Sequence, residues 1–140
     1  MFSTAYAGKA LGLLRIVAAI LLIEHATSKL LGFPPFPMGA PPVGSLFWIA
    51  GVIEILGGSL LLVGLLSRPV AFLLSGEMAI GYWMIHAPKS TFPLENGGDT
   101  AILFCFIFLY IAAAGAGAWS VDDYVIAKRK ARVKTVDTVH

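Results

Sequence analysis

Four stretches of almost uninterrupted apolar residues, 10–31, 46–66, 69–87 and 100–119, limit what this chain can fold into more than anything else in it. Each is close to the roughly 20 residues that an α-helix needs to cross a hydrocarbon core of about 30 Å. A buried helix of a soluble bundle keeps one polar face, whereas "GSLLLVGLL" and "AILFCFIFLYIAAAGAGAW" are apolar all round. The fold class expected is therefore all-α: a polytopic membrane protein with a bundle of four transmembrane helices. With 58% hydrophobic and only 13% charged residues, the 140-residue chain has little left from which to build a soluble domain.

Turn chemistry separates the four runs. "GFPPFPMGAPPVGS" holds five prolines and three glycines, "SRP" is a minimal reversal, and "HAPKSTFPLENGGD" is a second Pro/Gly loop. Proline lacks the N–H that a helix needs, so the first loop is expected as a non-helical cap or re-entrant piece over one face of the bundle. Lys9, Arg15, Arg68, Lys128, Arg129, Lys130, Arg132 and Lys134 fall on one side of such a topology, and only Lys29 and Lys89 on the other. That asymmetry places both termini in the cytoplasm. The first apolar run is longer than the core of a signal peptide and "HATS" is a poor cleavage site, so it is read as a retained helix. Residues 1–123 form the membrane domain and 124–140 a basic cytoplasmic tail, whose five Lys and Arg side chains favour anionic lipid. Without an aromatic platform the tail gives no ground for a nucleic-acid partner.

The lone cysteine, Cys105, rules out an intrachain disulfide or a CxxC pair and reads as a small packing residue.

The informative residues are the ionisable ones inside the apolar runs. Counted at 1.5 Å per residue from the outer helix ends, Glu24 lies about 10 Å deep, Glu54 about 12 Å and Glu77 about 15 Å. A charge near the bilayer centre costs about 2.5–3.5 kcal/mol on insertion scales, so the three carboxylates are expected to face inward. Burial favours the neutral form of an acid, and carboxylates gathered this way titrate as a coupled group. Ala50, Gly51, Gly57 and Gly58 surround Glu54 at helical spacing, a small-residue groove suited to a helix–helix seam. His25 and Lys29 follow Glu24 on the first helix, with His86 ending the third and Asp99 opening the fourth. Together they outline an outward-facing polar vestibule. Lys29 snorkelling to the interface and Asp99 capping its helix are the plainer readings of those two residues. Arg15 and Glu77, at depths within about 5 Å of each other, are expected to form an internal ion pair unless Arg15 reaches the cytoplasmic headgroups. The "SVDDY" acids close that side, where they are expected to meet Arg68.

Glu24, Glu54 and Glu77 are the candidate proton-handling groups, and His25, Lys29, His86 and Asp99 the candidate ligand-binding ones. The two histidines differ in estimated depth, which argues against bis-His haem. No fixed ligand spacing such as HExxH supports a metal, so no metal site is assigned. A quinone needs only an apolar cleft with a few polar groups, which this arrangement supplies.

The ordered set "LLRI", "HATSKLLGF", "IEILGGSLLLVGLLSRPVAFLL" and "GAGAWSVD" resembles the DoxX family of small four-helix membrane proteins, over roughly residues 11 to 123. Its most specific parts are Glu54 with Gly57 and Gly58, and the ending Gly115, Gly117, Ser120 and Asp122. The resemblance implies a four-helix membrane fold in the cell (inner) membrane. It also implies a loose link to redox chemistry, since members are described as subunits associated with quinol oxidase, thiosulfate:quinone oxidoreduction or oxidative-stress complexes. A shared fold does not by itself establish a shared activity. The expected function is a redox-associated subunit that binds a quinone or small apolar ligand beside a partner subunit. The rivals are a transporter or proton-conducting unit and a structural or assembly partner without chemistry. The oligomeric state, a homo-oligomer included, is left open.

Overall fold

The computed structural model describes residues 4–35 and 39–137, with side chains from Tyr6 to Arg129. Pro37, one of the five prolines of the first loop, lies outside the described residues, as do the last three residues of the tail. The described chain is helical without strands: α1 Thr4–Leu31, α2 Leu46–Val63, α3 Ser67–Gly81 continuing into a π-helical turn Tyr82–His86, a short α4 Pro93–Asn96, α5 Asp99–Ala114 and α6 Val121–Asp137. Two of these, over Tyr6–Leu31 and Leu46–Val63, are long and apolar enough to cross a membrane, and α5 is a shorter apolar helix. The helix of the third run opens on Ser67 and Arg68, carries Ser75 and Glu77, and changes from α to π before it ends.

Local chemistry sets several boundaries. The Ser45 hydroxyl accepts from the Trp48 N–H to open α2, and Gly64 closes it in the left-handed conformation (φ 71°). Only glycine suits that place, because a Cβ there would lie 2.4 Å from the Ser120 Cβ. Pro93 opens α4 and Gly97, at φ 69°, ends it.

The expected fourth helix, 100–119, is a correction. α5 stops at Ala114, because Gly115 turns the backbone to φ 101°, ψ −169°, a region essentially confined to glycine. Arg68 donates to the carbonyls of Ala112 at 3.1 Å, Ala113, and Ala114 at 3.2 Å, satisfying the acceptors that the helix end exposes. Residues 115–120 then reverse the chain rather than extend the helix. Most of the tail is itself helical, as α6.

α1 packs on α2 and α3 on α5, and the two pairs meet chiefly through α2 and α3. The core joins Ala18, Ala19 and Leu22 of α1 and Leu61 of α2 to Ala71 and Leu74 of α3 and to Phe104, Phe108 and Ile111 of α5. Large apolar side chains such as Leu13, Ile20, Leu56, Leu73, Leu103 and Phe106 point outward. Such a surface suits hydrocarbon far better than water.

One end of the bundle is knotted shut around Arg15, the largest fully buried side chain among those described. Its Nε donates to the Ala116 carbonyl at 2.8 Å. Nη1 donates to the carbonyls of Leu61 and, at 2.7 Å, Leu62, and Nη2 to those of Ala118 at 3.3 Å and Trp119 at 2.9 Å. Asp122 accepts from the Leu66 and Ser67 N–H groups at 2.9 and 2.8 Å, capping the start of α3 from a distant segment. The reversal is pinned to α1 where the Ala118 N–H donates to the Gly8 carbonyl at 2.9 Å. Gly117 and Gly12 allow that approach, since a Cβ on Gly12 would sit 2.4 Å from the Ala118 oxygen.

Candidate functional site

The opposite half of the bundle is open. A cavity of about 990 Å³ lies among the last turns of α1, the first half of α2, α3 with its π turn, and the start of α5. Glu24, His25, Lys29, Glu54, Glu77 and His86 all line it. Asp99 does not; it sits exposed in the first turn of α5, one residue before Thr100, which does. Most of the remaining wall is apolar, with Leu22 and Phe104 towards the packed core and Ile53, Phe72, Leu73 and Ile80 on the outer sides of α2 and α3. Those last four side chains are also exposed on the bundle surface, so the cavity reaches that surface sideways.

Glycines determine where Glu54 points. On one side of α2, Gly51 and Gly58 let α1 close in, with Leu30 and Ile23 where Cβ atoms would be (3.1 and 2.8 Å). Gly57 does the same for α3, with Leu74 at 2.9 Å. Glu54 is left 3% exposed between them, with its Oε1 accepting from the Lys29 Nζ at 2.6 Å. Lys29 is itself only 12% exposed, so it reaches inward to a carboxylate rather than out to an interface. The second oxygen of Glu54 and both oxygens of Glu77 are buried without a hydrogen-bond partner. Glu54 and Lys29 are the charged groups whose fields act on Glu77.

The expected Arg15–Glu77 ion pair is therefore corrected. The Arg15 guanidinium is taken up by five carbonyls at the sealed end, while Glu77 lines the cavity in the open half. The carbonyl of Leu62 at the end of α2 and those of the 116–119 reversal lack helical partners, and that of Leu61 has only the Gly64 N–H at 3.0 Å, so these acceptors draw in the N–H groups that an ion pair would use. Arg68 likewise binds the end of α5 rather than the acids of "SVDDY", and Asp122 binds backbone N–H groups.

Both histidines are oriented through Nδ1. In His25 it lies 2.8 Å from the Leu21 carbonyl, and in His86 it lies 3.0 Å from the Asn96 carbonyl. A carbonyl only accepts, so Nδ1 carries the proton and the neutral ring keeps Nε2 as an acceptor. The His25 ring meets Phe104 edge-on at 5.9 Å, and the His86 ring stacks on Tyr82 at 6.3 Å. Sequence reasoning missed the parts that hold His86. Buried Asn96 donates to the Ser90 carbonyl at 2.9 Å and accepts from the Gly98 N–H at 2.8 Å, which fixes its own carbonyl against the imidazole. The "ENGG" turn was the available signal; the π turn carrying His86 has none in the sequence. Among the described residues, no three His, Cys, Asp or Glu side chains are grouped so as to hold a metal ion.

A family model described as DoxX matches residues 10–87, more than half of the chain. An uncharacterized protein of Haemophilus influenzae is 45% identical over 123 residues, covering 84% of this chain and 92% of the relative. No solved structure matches.

Proposed function

This chain belongs to the DoxX family, and from that premise we propose that it is a redox-associated membrane subunit that binds a quinone or small apolar ligand. In this reading α1, α2, α3 with its π turn, and α5 cross the cell (inner) membrane with both termini cytoplasmic. Residues 1–123 form the membrane domain and 124–140 the basic cytoplasmic part. Glu54 and Glu77 handle protons deep in the pocket, Glu24 does so nearer the opening, and His25, Lys29 and His86 contact the ligand. A second subunit carries the electrons.

The observation that supports this reading most is the cavity itself: mostly apolar walls, seven ionisable side chains lining it, and access through the flank that would face lipid. Lipid extraction of the purified protein, followed by mass spectrometry, tests it. A quinone retained at near one per chain, and lost on widening or blocking the cavity at Phe104, is the expected result. Quinone no more abundant than in the surrounding lipid would defeat it.

One observation favours a second reading. A carboxylate without partners at Glu77, within reach of the field of the Lys29–Glu54 pair, also suits one station of a proton or cation relay. Flux driven by a pH step in liposomes, abolished by Glu77→Gln, distinguishes transport from ligand binding alone.

A further inference from the structure

Five of the polar side chains that line the cavity offer acceptors. Glu24, Glu54 and Glu77 accept, and with Nδ1 committed to the backbone, His25 and His86 keep acceptor nitrogens. Lys29, the ammonium in the interior, is already bound to Glu54, and Lys89 is exposed at the rim. Three carboxylates against two lysines leave one negative charge over. The carboxyl group left without a partner is Glu77, whose two oxygens are buried and unpartnered, as is the second oxygen of the 3%-exposed Glu54. Phe47, Phe72 and Phe104 contribute aromatic surface to the same walls, and aromatic faces attract cations.

We propose that this cavity takes a membrane-partitioning amine, with its ammonium head on Glu77 and its apolar body lying towards the flank between α2 and α3. A neutral amine meeting protonated Glu77 takes the carboxyl proton, while an ammonium ion meeting the carboxylate needs no transfer. Either route ends in the same ammonium–carboxylate pair, without a further reactant. The inference rests on the preceding reading of a lipid-facing cavity, and not on quinone.

The test uses the full chain in nanodiscs of zwitterionic lipid, titrated calorimetrically with decylamine and with decanol, its neutral counterpart, each corrected by empty nanodiscs. Saturable decylamine binding at least tenfold tighter than decanol is expected. Glu77→Gln should bring the amine down to the level of the alcohol, while Asp123→Asn, exposed at the sealed end away from the cavity, should change it less than threefold. If decanol binds as tightly as decylamine, or if Glu77→Gln keeps the preference, the amine inference fails while the apolar-ligand reading stands. If neither probe binds, the amine inference fails and the apolar-ligand reading loses its support as well. Should Glu77→Gln not fold, the ratio of amine to alcohol on the parent chain decides.

Discussion

Replacing Arg15 tests whether the sealed end holds the fold together. Five carbonyls, those of Leu61, Leu62, Ala116, Ala118 and Trp119, take their hydrogen bonds from this one fully buried side chain. A hydrogen bond from a charged donor contributes about 1.5–3 kcal/mol, and an acceptor left buried without a partner costs about 1–3 kcal/mol. Arg15→Met strands four of these acceptors, those of Leu62, Ala116, Ala118 and Trp119, and leaves Leu61 only the Gly64 N–H. Even with partial relaxation the loss should exceed about 4–5 kcal/mol, much of the roughly 5–15 kcal/mol that separates folded from unfolded chains. Arg15→Lys keeps the charge but has three N–H donors instead of five and no planar fork, so at least two acceptors are lost, about 2–4 kcal/mol. At roughly 3 °C per kcal/mol for a chain of this size, the lysine variant should melt about 6–12 °C below the parent. The methionine variant should fail to assemble or melt well below that. Tryptophan fluorescence during heating in detergent measures both. A lysine variant as stable as the parent would refute the carbonyl account, because an ion pair needs only the charge. The same conclusion would follow if Arg15→Lys and Glu77→Gln were strongly non-additive, since side chains at opposite ends of the bundle should add within about 0.5 kcal/mol.

Glu54→Leu should cost about 3–5 kcal/mol, because it leaves the Lys29 ammonium buried and unpaired. Glu54→Gln retains an acceptor and should melt closer to the parent, and Lys29→Met combined with Glu54→Leu should recover most of the loss; thermal melting of the four proteins checks the cycle. If Glu54 must ionise, the Gln variant should be stable yet inactive in a ligand or flux assay. Gly58→Ala places a Cβ 2.8 Å from the Ile23 Cγ1 and should destabilise by about 1–3 kcal/mol, whereas Gly8→Ala, with nothing within 4 Å, should be silent in the same melt. For topology, cysteines introduced at Gly39 and Ser90 in a Cys105→Ala background should react with an impermeant reagent on intact cells while one at Thr135 stays unlabelled; the opposite pattern would invert the orientation.

Apolar length was enough to find α1, α2, α3 and α5, because a run such as 46–66 in an apolar medium has few other ways to satisfy its backbone, but not the short α4 or the polar α6. Depth counting was enough to bring Glu24, Glu54 and Glu77 towards one region, and all three line the cavity. Partner choice was not legible. Whether Lys29 meets Glu54 or reaches the interface depends on how α1 and α2 rotate about their axes, and that is decided by which of Gly51, Gly57 and Gly58 faces which neighbour. The end of α5 was illegible for another reason. "AAAGAGAW" is small and apolar throughout, so hydropathy continues across a break whose cause is one glycine torsion and a set of carbonyls claimed by Arg15 and Arg68. Arg15 was expected to pair with Glu77 and Arg68 with the acids of "SVDDY", because carboxylates are the partners a sequence displays; their actual partners are backbone atoms, which carry no residue-specific signature.

The contrast between the two halves of the bundle also gives it a mechanical character. The end tied by Arg15, Asp122 and the Gly8–Ala118 contact acts as a fulcrum, and the helix segments around the cavity are levers anchored there. Glu24 and Lys29 stand 9 and 14 residues along α1 from Arg15, about 14 and 21 Å at helical rise. A splay of about 10° at the fulcrum would carry the helix near Lys29 by nearly 4 Å, while leaving the neighbourhood of Arg15 almost still. Small angular play at the tied end is thus magnified where the pocket opens, so a substitution that loosens the fulcrum should widen the entrance without touching it.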